Sequence, residues 1–291
     1  MTTRTLKNVA RILPSPQMHW VGDGFPVSSV ISPHATGASV SPFVLMDYAG
    51  PAKFGPSDTP RGVDTHPHRG FETVTVVYKG ELEHRDSAGN KGSIGAGDVQ
   101  WMTAASGVLH EEKHSAKFTR EGGVLEMAQL WVNLPAKHKK DKPRYQELQS
   151  TEIPSVTLAD GAGKVRVIAG DFDGTKGAAQ TFTPVTLWDV SLKAGTRVEL
   201  PVADGHTAAI YVRSGSIRVG DSPDVQARQL VVLELSGEGV VVQAVTDTEL
   251  LVVGGEPINE PMIAHGPFVI NTVEEVQQAM ADYRSGKFGR L

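Results

Sequence analysis

From about Pro42 to Val132 the chain runs in short apolar bursts rich in Val, Thr, Tyr and Trp, each cut off by Gly, Asn, Asp or Ser. Short runs bounded by turn formers predict antiparallel strands with tight connections. Glu72–Tyr78, Glu81–Arg85, Val99–Thr103 and Leu125–Val132 are the clearest, and the stretch from Asp86 to Gly92 is a strong turn between two of them. The same texture returns at Val185–Leu192, Ala208–Arg213, Ser216–Val219, Leu230–Leu235, Gly239–Gln243 and Glu249–Val253. The two halves are weakly self-similar. VTVVYKGELEHRD runs strand, Gly80, strand, and AAIYVRSGSIRVGD does the same around Gly215, so a duplicated β unit is the economical explanation. Only Thr272 to about Arg284 carries helical spacing, with Val273, Val276, Met280 and Tyr283 on one stripe and Thr272 with Glu275 as a capping box.

Between the halves lies AKHKKDKPRY, Ala136 to Tyr145, polar, basic and interrupted by a proline. A solvated linker is the reading its flanks favour over a basic binding patch. The expected organisation is one domain over 1–135, a linker over 136–150, and a second domain over 151–291 that ends in the helix. The expected fold class is all-β: two stacked jelly-roll-type β-barrels, a bicupin, with a short C-terminal helix.

Composition narrows the chemistry. The 291 residues suffice for two ordinary domains, and the apolar and charged fractions are those of a globular protein. There is no cysteine, which excludes disulfides, thiolate ligands and Cys nucleophiles, so any metal must be held by His, Asp or Glu. The net charge of −5 offers no basic footprint for a phosphate backbone, and direct nucleic-acid binding is not expected. No long apolar run and no secretory-type start is present, so the expected location is the cytoplasm, with no membrane partner.

The informative stretches are THPHRGFETVTVVYKG, Thr65 to Gly80, and GDVQWMTAASGVLHEEKH, Gly97 to His114. On a strand His66 and His68 project to one side, where two imidazoles can close on one ion. His110 and Glu112 repeat that spacing, so two strands facing across a barrel would supply three imidazoles and a carboxylate. Such a set suits a divalent transition metal with coordination positions left for substrate or oxygen. Glu72 shares the parity of His66 and His68 and competes for the carboxylate position. Phe43, Trp101 and Met102 are apolar candidates for a pocket lining, although core is their commoner role.

The blocks HPHRGFET, GDVQWMTAASGVLHEE and LWVNLP, with GPFVINT and SGKFG near the C-terminus, resemble the signature blocks of the pirin family, a branch of the cupin superfamily. The resemblance covers nearly the whole chain. It implies a two-domain cupin with one non-haem Fe(II), or another divalent transition metal, per chain in the N-terminal barrel, its ligands falling on His66, His68, His110 and Glu112. Most cupins take their carboxylate ligand from the first motif, where Glu72 sits; pirins resemble a variant that takes it from the second, at Glu112. Glu111 stands where a small residue is expected and adds a negative charge. The second half has no H-x-H, only His206 and His265, and is expected to be metal-free.

Several bacterial pirin-like proteins resemble quercetin 2,3-dioxygenases, which open the flavonol ring with both atoms of O2 and release carbon monoxide. The resemblance therefore implies an oxygen-dependent dioxygenase acting on a flavonol-like small molecule, with Glu112 as ligand and as the base that takes the substrate proton. One rival is a redox-sensing regulatory protein whose iron site controls a protein partner. A second is a zinc peptidase, because His110-Glu-Glu-Lys-His114 formally matches H-E-x-x-H; that motif needs a helix, and Ser106, Gly107 and Val108 are a poor helical entry.

Overall fold

A computed structural model describes residues 5–291, and its regular structure consists mostly of antiparallel strands. These assemble into two compact units that are not contiguous in sequence. The larger contains Pro16–Ala35, Phe43–Ser150 and Ile258–Leu291; the smaller contains the N-terminal stretch up to Ser15, then Thr36–Pro42 and Thr151–Pro257.

Each unit is a seven-stranded sheet with a four-stranded sheet. In the larger unit the long sheet runs Arg144–Leu148, Val99–Thr103, Phe71–Lys79, Gly123–Asn133, Phe43–Phe54, Phe25–Ile31, Met18–Val21. Its short sheet runs Gly62–His68, Val108–His114, Leu82–Asp86, Lys91–Ile94. In the smaller unit the long sheet runs Val9–Leu13, Leu230–Leu233, Thr207–Ser214, Thr248–Gly255, Val185–Leu192, Gly163–Ala169, Ser155–Thr157. There the short sheet runs Arg197–Leu200, Val240–Ala244, Ser216–Val219, Val225–Gln226. Strand for strand the orders correspond, which is the duplication suggested by the two glycine-centred repeats. Gly80 and Gly215 occupy the same place in that plan, between the third strand of the long sheet and the third of the short one. Both have positive φ (90° and 78°), a conformation that glycine adopts without a Cβ penalty.

The smaller unit closes on an apolar interior. Val190, Val212, Leu250 and Val252 of its long sheet join Leu200, Ile217, Val240 and Val242 of its short sheet in one buried cluster. The larger unit has an apolar cluster at one end, around Phe25, Phe54, Ile94, Phe118 and Leu125. The middle of its interior is polar.

Three expectations about organisation need revision. Ala136–Ser150 does not run free: a 3-10 turn spans Ala136–His138, Lys139 is buried, and Arg144–Leu148 is the edge strand of the long sheet, paired with Val99–Thr103. The Lys139 ammonium donates to the carbonyls of Gly70 and Val269 and to Asn133, and burial pushes its pKa down to about 7. Second, the C-terminal helix, Val273–Arg284, belongs to the larger unit, where Val276 and Met280 pack against Phe268, Ile270 and Phe288. Thr272 caps it as expected, accepting from the Glu275 amide, but Val273 and Tyr283 of the anticipated stripe are exposed, and Ala279 and Asp282 are buried in their place. Third, Val9–Leu13 pairs with Leu230–Leu233 of the smaller unit. Nothing local in those five residues specifies so distant a partner. No helix among the described residues is long and apolar enough to cross a membrane.

Candidate metal centre

The strand Val108–His114 is strictly alternating: Val108, His110, Glu112 and His114 are buried, and Leu109, Glu111 and Lys113 face outward. It lies between Gly62–His68 and Leu82–Asp86, so its inward residues meet those of both neighbours. His110 is registered with His66 on one side and Asp86 on the other; Glu112 is registered with His84, and Val108 with His68. The two histidine-bearing strands are thus hydrogen-bonded neighbours, and they do not face each other across a barrel as anticipated. Cross-strand side chains stand about 5 Å apart, close enough for one ion. A bulge between His110 and Glu112 shifts the register to Val63. It requires Gly62, whose φ is +153° and where a Cβ would lie 2.2 Å from the Glu112 carbonyl oxygen.

Three imidazoles converge. His66 Nε2 is 3.2 Å from His68 Nε2 and 2.9 Å from His110 Nε2. His66 turns its Nδ1 to the Asp64 carbonyl at 2.8 Å and His68 turns its Nδ1 to the Pro267 carbonyl at 3.4 Å, which directs the Nε2 lone pairs inward. Burial holds His68 and His110 well below the ordinary histidine pKa, reinforced by their imidazole neighbours, so both are neutral at pH 7 with lone pairs available. Two nitrogens bound to one ion at right angles, each about 2.1 Å from it, sit about 3.0 Å apart. The observed spacings fit a facial triad of this kind, and the donor set fits a divalent transition metal.

Glu112 is fixed from the long sheet. Its Oε1 accepts from Gln100 Nε2 at 3.1 Å and its Oε2 from Gln129 Nε2 at 3.0 Å, while the Thr75 hydroxyl, with one proton to give, lies 2.9 Å from Oε1 and 2.6 Å from Gln129 Oε1. Thr75 is registered with both Gln100 and Gln129, so three adjacent strands deliver the donors in one row. His84, Gln100, Thr75 and Gln129 went unmarked in the sequence. For His84 a signal existed: Leu82, His84 and Asp86 alternate as buried residues on their strand. His84 Nε2 faces Asp86 at 3.3 Å, its ring stacks on Tyr145 at 5.0 Å, and it forms with His110 and Glu112 a second group able to converge on a cation. The glutamines and Thr75 carry no local signal, because pairing between distant strands alone brings them to Glu112.

Glu72 does not compete for the site. The parity argument fails at Arg69–Gly70, where the chain turns between Gly62–His68 and Phe71–Lys79 and resets the alternation. Thr75 points at Glu112, so Glu72, three residues earlier, points to the opposite face. There it is 1 % exposed, accepts from Thr103 at 2.7 Å, and is pushed by burial up to about 7. Glu111 faces outward and pairs with Arg85 and Thr65, away from the imidazoles. His114 Nε2 is bonded to the Gly24 carbonyl at 3.0 Å, and its ring lies edge-on to Phe54 at 4.7 Å and Phe118 at 5.0 Å. His110 and His114, on one strand, have backbones about 13 Å apart, which removes the H-E-x-x-H reading.

The triad opens into a cavity of about 330 Å³, whose lining includes His66, His68, Glu112, Asp47 and Gln129 together with apolar Phe25, Leu45, Met127 and Trp131. Phe43, Trp101 and Met102 are core residues and do not line it. The C-terminal segment supplies part of the rim through Gly266 and Pro267, and Arg69 is anchored to Asp282 at 2.8 Å.

Two matched β units, one with an inward His/Glu cluster opening on a cavity and one filled by aliphatic side chains, define a two-domain cupin. The sequence matches the family described as Pirin over residues 24–132 and the Pirin C-terminal cupin domain over residues 187–289; the chain belongs to the pirin family. A Pseudomonas aeruginosa protein provisionally named quercetin 2,3-dioxygenase is 52% identical over 285 residues, 98% of this chain and 99% of that one. Human pirin is 38% identical over 256 residues, covering 86% of this chain and 84% of its own. A crystal structure of a quercetin 2,3-dioxygenase from Acinetobacter baumannii superimposes with a TM-score of 0.95 at 45% identity, covering 98% of this chain and 99% of that one.

Proposed function

We propose that this chain holds one Fe(II) ion through His66, His68, His110 and Glu112 and catalyses the O2-dependent ring opening of quercetin or a similar flavonol. The observation that carries the reading is the convergence of three imidazoles, with the anchored carboxylate of Glu112 lining the same apolar-walled cavity as His66 and His68. The names of the 52% and 45% identical relatives support the substrate class. When bound, the iron supplies a meeting point for a substrate oxygen and O2 and a path for electrons between them.

The residues of the chain do the rest. Aromatic and aliphatic walls bury a planar ring system and keep bulk water from it. Each Glu112 oxygen accepts one amide hydrogen bond, Oε1 from Gln100 and Oε2 from Gln129. The carboxylate therefore keeps acceptor capacity both for the metal and for the proton of the flavonol hydroxyl. Thr75, Gln100 and Gln129 hold the carboxylate in place while it does so.

The test is metal analysis of freshly purified protein together with a quercetin assay. About one metal per chain is expected, with quercetin consumption that requires O2 and stops with a chelator. Quercetin left unchanged in air by iron-loaded protein would overturn the enzymatic reading and leave the regulatory one, in which the iron site governs a protein partner.

A further inference from the structure

Five inward positions lie in one row across the long sheet of the larger unit. Ser29 is registered with Asp47, Asp47 with Gln129, Gln129 with Thr75, and Thr75 with Gln100. The last three are committed to Glu112. Asp47 is not. Its Oδ1 accepts from Ser29 Oγ at 2.6 Å, and its Oδ2 has no hydrogen-bond partner among the described residues. It lies outside both groups of side chains that could hold a metal, yet it lines the same cavity as His66, His68 and Glu112.

Around it the wall is apolar, with Val27, Leu45, Met127 and Trp131 among the lining residues. Partial burial raises the pKa of Asp47, offset in part by the Ser29 hydrogen bond and by the charge of His19, two strands away. Asp47 is half-buried, so an Oδ2 that no protein donor meets is left to receive a donor that a ligand carries into the cavity. Gln129 separates Asp47 from Glu112, so the two carboxyl groups mark two polar points on one apolar slot.

Resting on the flavonol reading, we infer that Asp47 is a specificity-determining residue: it accepts a hydrogen bond from a second hydroxyl of the substrate, one other than the hydroxyl directed at the metal. The cavity is then matched to a polyhydroxylated planar ring system rather than to any enolisable ring. A site built to receive a hydroxyl discriminates strongly against the analogue that lacks it.

The experiment compares quercetin with 3-hydroxyflavone, which carries only the metal-directed hydroxyl. Both are titrated into metal-loaded full-length protein under nitrogen, and Kd is read by fluorescence quenching without turnover. The wild type should prefer quercetin by about tenfold to a hundredfold, the range of one hydrogen bond to a charged group. Asp47→Ala should bring the two affinities together by weakening quercetin alone; an unchanged Kd for 3-hydroxyflavone also shows that the variant is folded. Asp47→Asn, which keeps a neutral acceptor of the same shape, should lose part of the preference, about threefold to tenfold.

A preference that survives in both variants, or one that is absent from the wild type, overturns the assignment, as does a parallel loss of both ligands. If the metal-loaded wild type binds neither compound, the flavonol reading itself falls and takes this inference with it. That result differs from the others because it is seen before any substitution is made.

Discussion

In the larger unit the second strand of the short sheet reads Val108-Leu-His-Glu-Glu-Lys-His114, and at the same place in the smaller unit it reads Val240-Val-Val-Gln-Ala244. Both strands alternate, with the same face buried. Where His110 and Glu112 meet His66, His84 and Asp86, the smaller unit sets Val240 against Leu200 and Val242 against Val219. One strand plan therefore tolerates both interiors. The aliphatic version stabilises by burial alone, at about 25 cal/mol per Å² of apolar surface. The polar version has to answer buried groups with partners, and for Glu112 a row of Thr75, Gln100 and Gln129, which the smaller unit has no use for, supplies them. The difference teaches that the inward polar set is no requirement of the fold; its expense is consistent with a site kept for chemistry.

The largest expected effect breaks this comparison directly. His110→Ala or Glu112→Ala should take metal content from about one per chain to near zero by elemental analysis, and quercetin consumption to background. Val242→Ala, at the corresponding place in the smaller unit, should leave metal content untouched and cost about 2 kcal/mol in urea-induced unfolding, as a buried large-to-small change does. Two tightly bound ions per wild-type chain, or metal loss in Val242→Ala, would erase the proposed division of labour.

Much of this plan could be read in the sequence, and the reasons are local. Strand alternation is a period of two residues, so H-x-H and H-x-E placed their side chains on common faces before any contact was known. The glycine-centred repeats around Gly80 and Gly215 exposed the duplication in the same way. What depends on pairing between distant strands was not legible. Gln129 acts on Glu112 only because Gly123–Asn133 lies beside Phe71–Lys79 in one register. The buried Lys139 looked like part of a solvated basic stretch, since its three acceptors, Gly70, Asn133 and Val269, include one 130 residues away. Glu72 was ambiguous because parity holds along a strand and not through the turn at Arg69–Gly70.

A smaller effect sharpens the comparison at the level of the supporting row. Gln129→Leu puts a nearly isosteric apolar group in place of the only donor to Glu112 Oε2 among the described residues, making the larger unit locally resemble the smaller. Loss of such an outer partner weakens metal binding about tenfold to a hundredfold while the ligands remain. A competition titration against a chelator should show that drop with the fold intact. Unchanged affinity would mean that Thr75 and Gln100 suffice to hold the carboxylate.

The smallest expected effects concern the residues that share the motifs and not the site. Glu111 lies on the outward face and pairs with Arg85, whose side chain is half exposed; an exposed pair of this kind contributes about 0–1 kcal/mol, so Glu111→Ala should be nearly silent in stability and in metal content. His114 shares the inward parity of His110 and Glu112, but its ring is held among Phe54 and Phe118 and its Nε2 by the Gly24 carbonyl. Removing it leaves a cavity and an unmet carbonyl, so His114→Ala should lower stability by about 1–3 kcal/mol while metal stoichiometry stays at about one. Glu72→Gln replaces a carboxyl group on the opposite face of its strand and should also keep its metal. The three variants differ in stability and agree in metal content, because only the face and reach of a side chain decide whether it meets the imidazole triad. Metal lost from His114→Ala and kept in Glu112→Ala would instead require Val108–His114 to be a helix, against the cross-strand registers that bring His110 to His66 and Glu112 to His84.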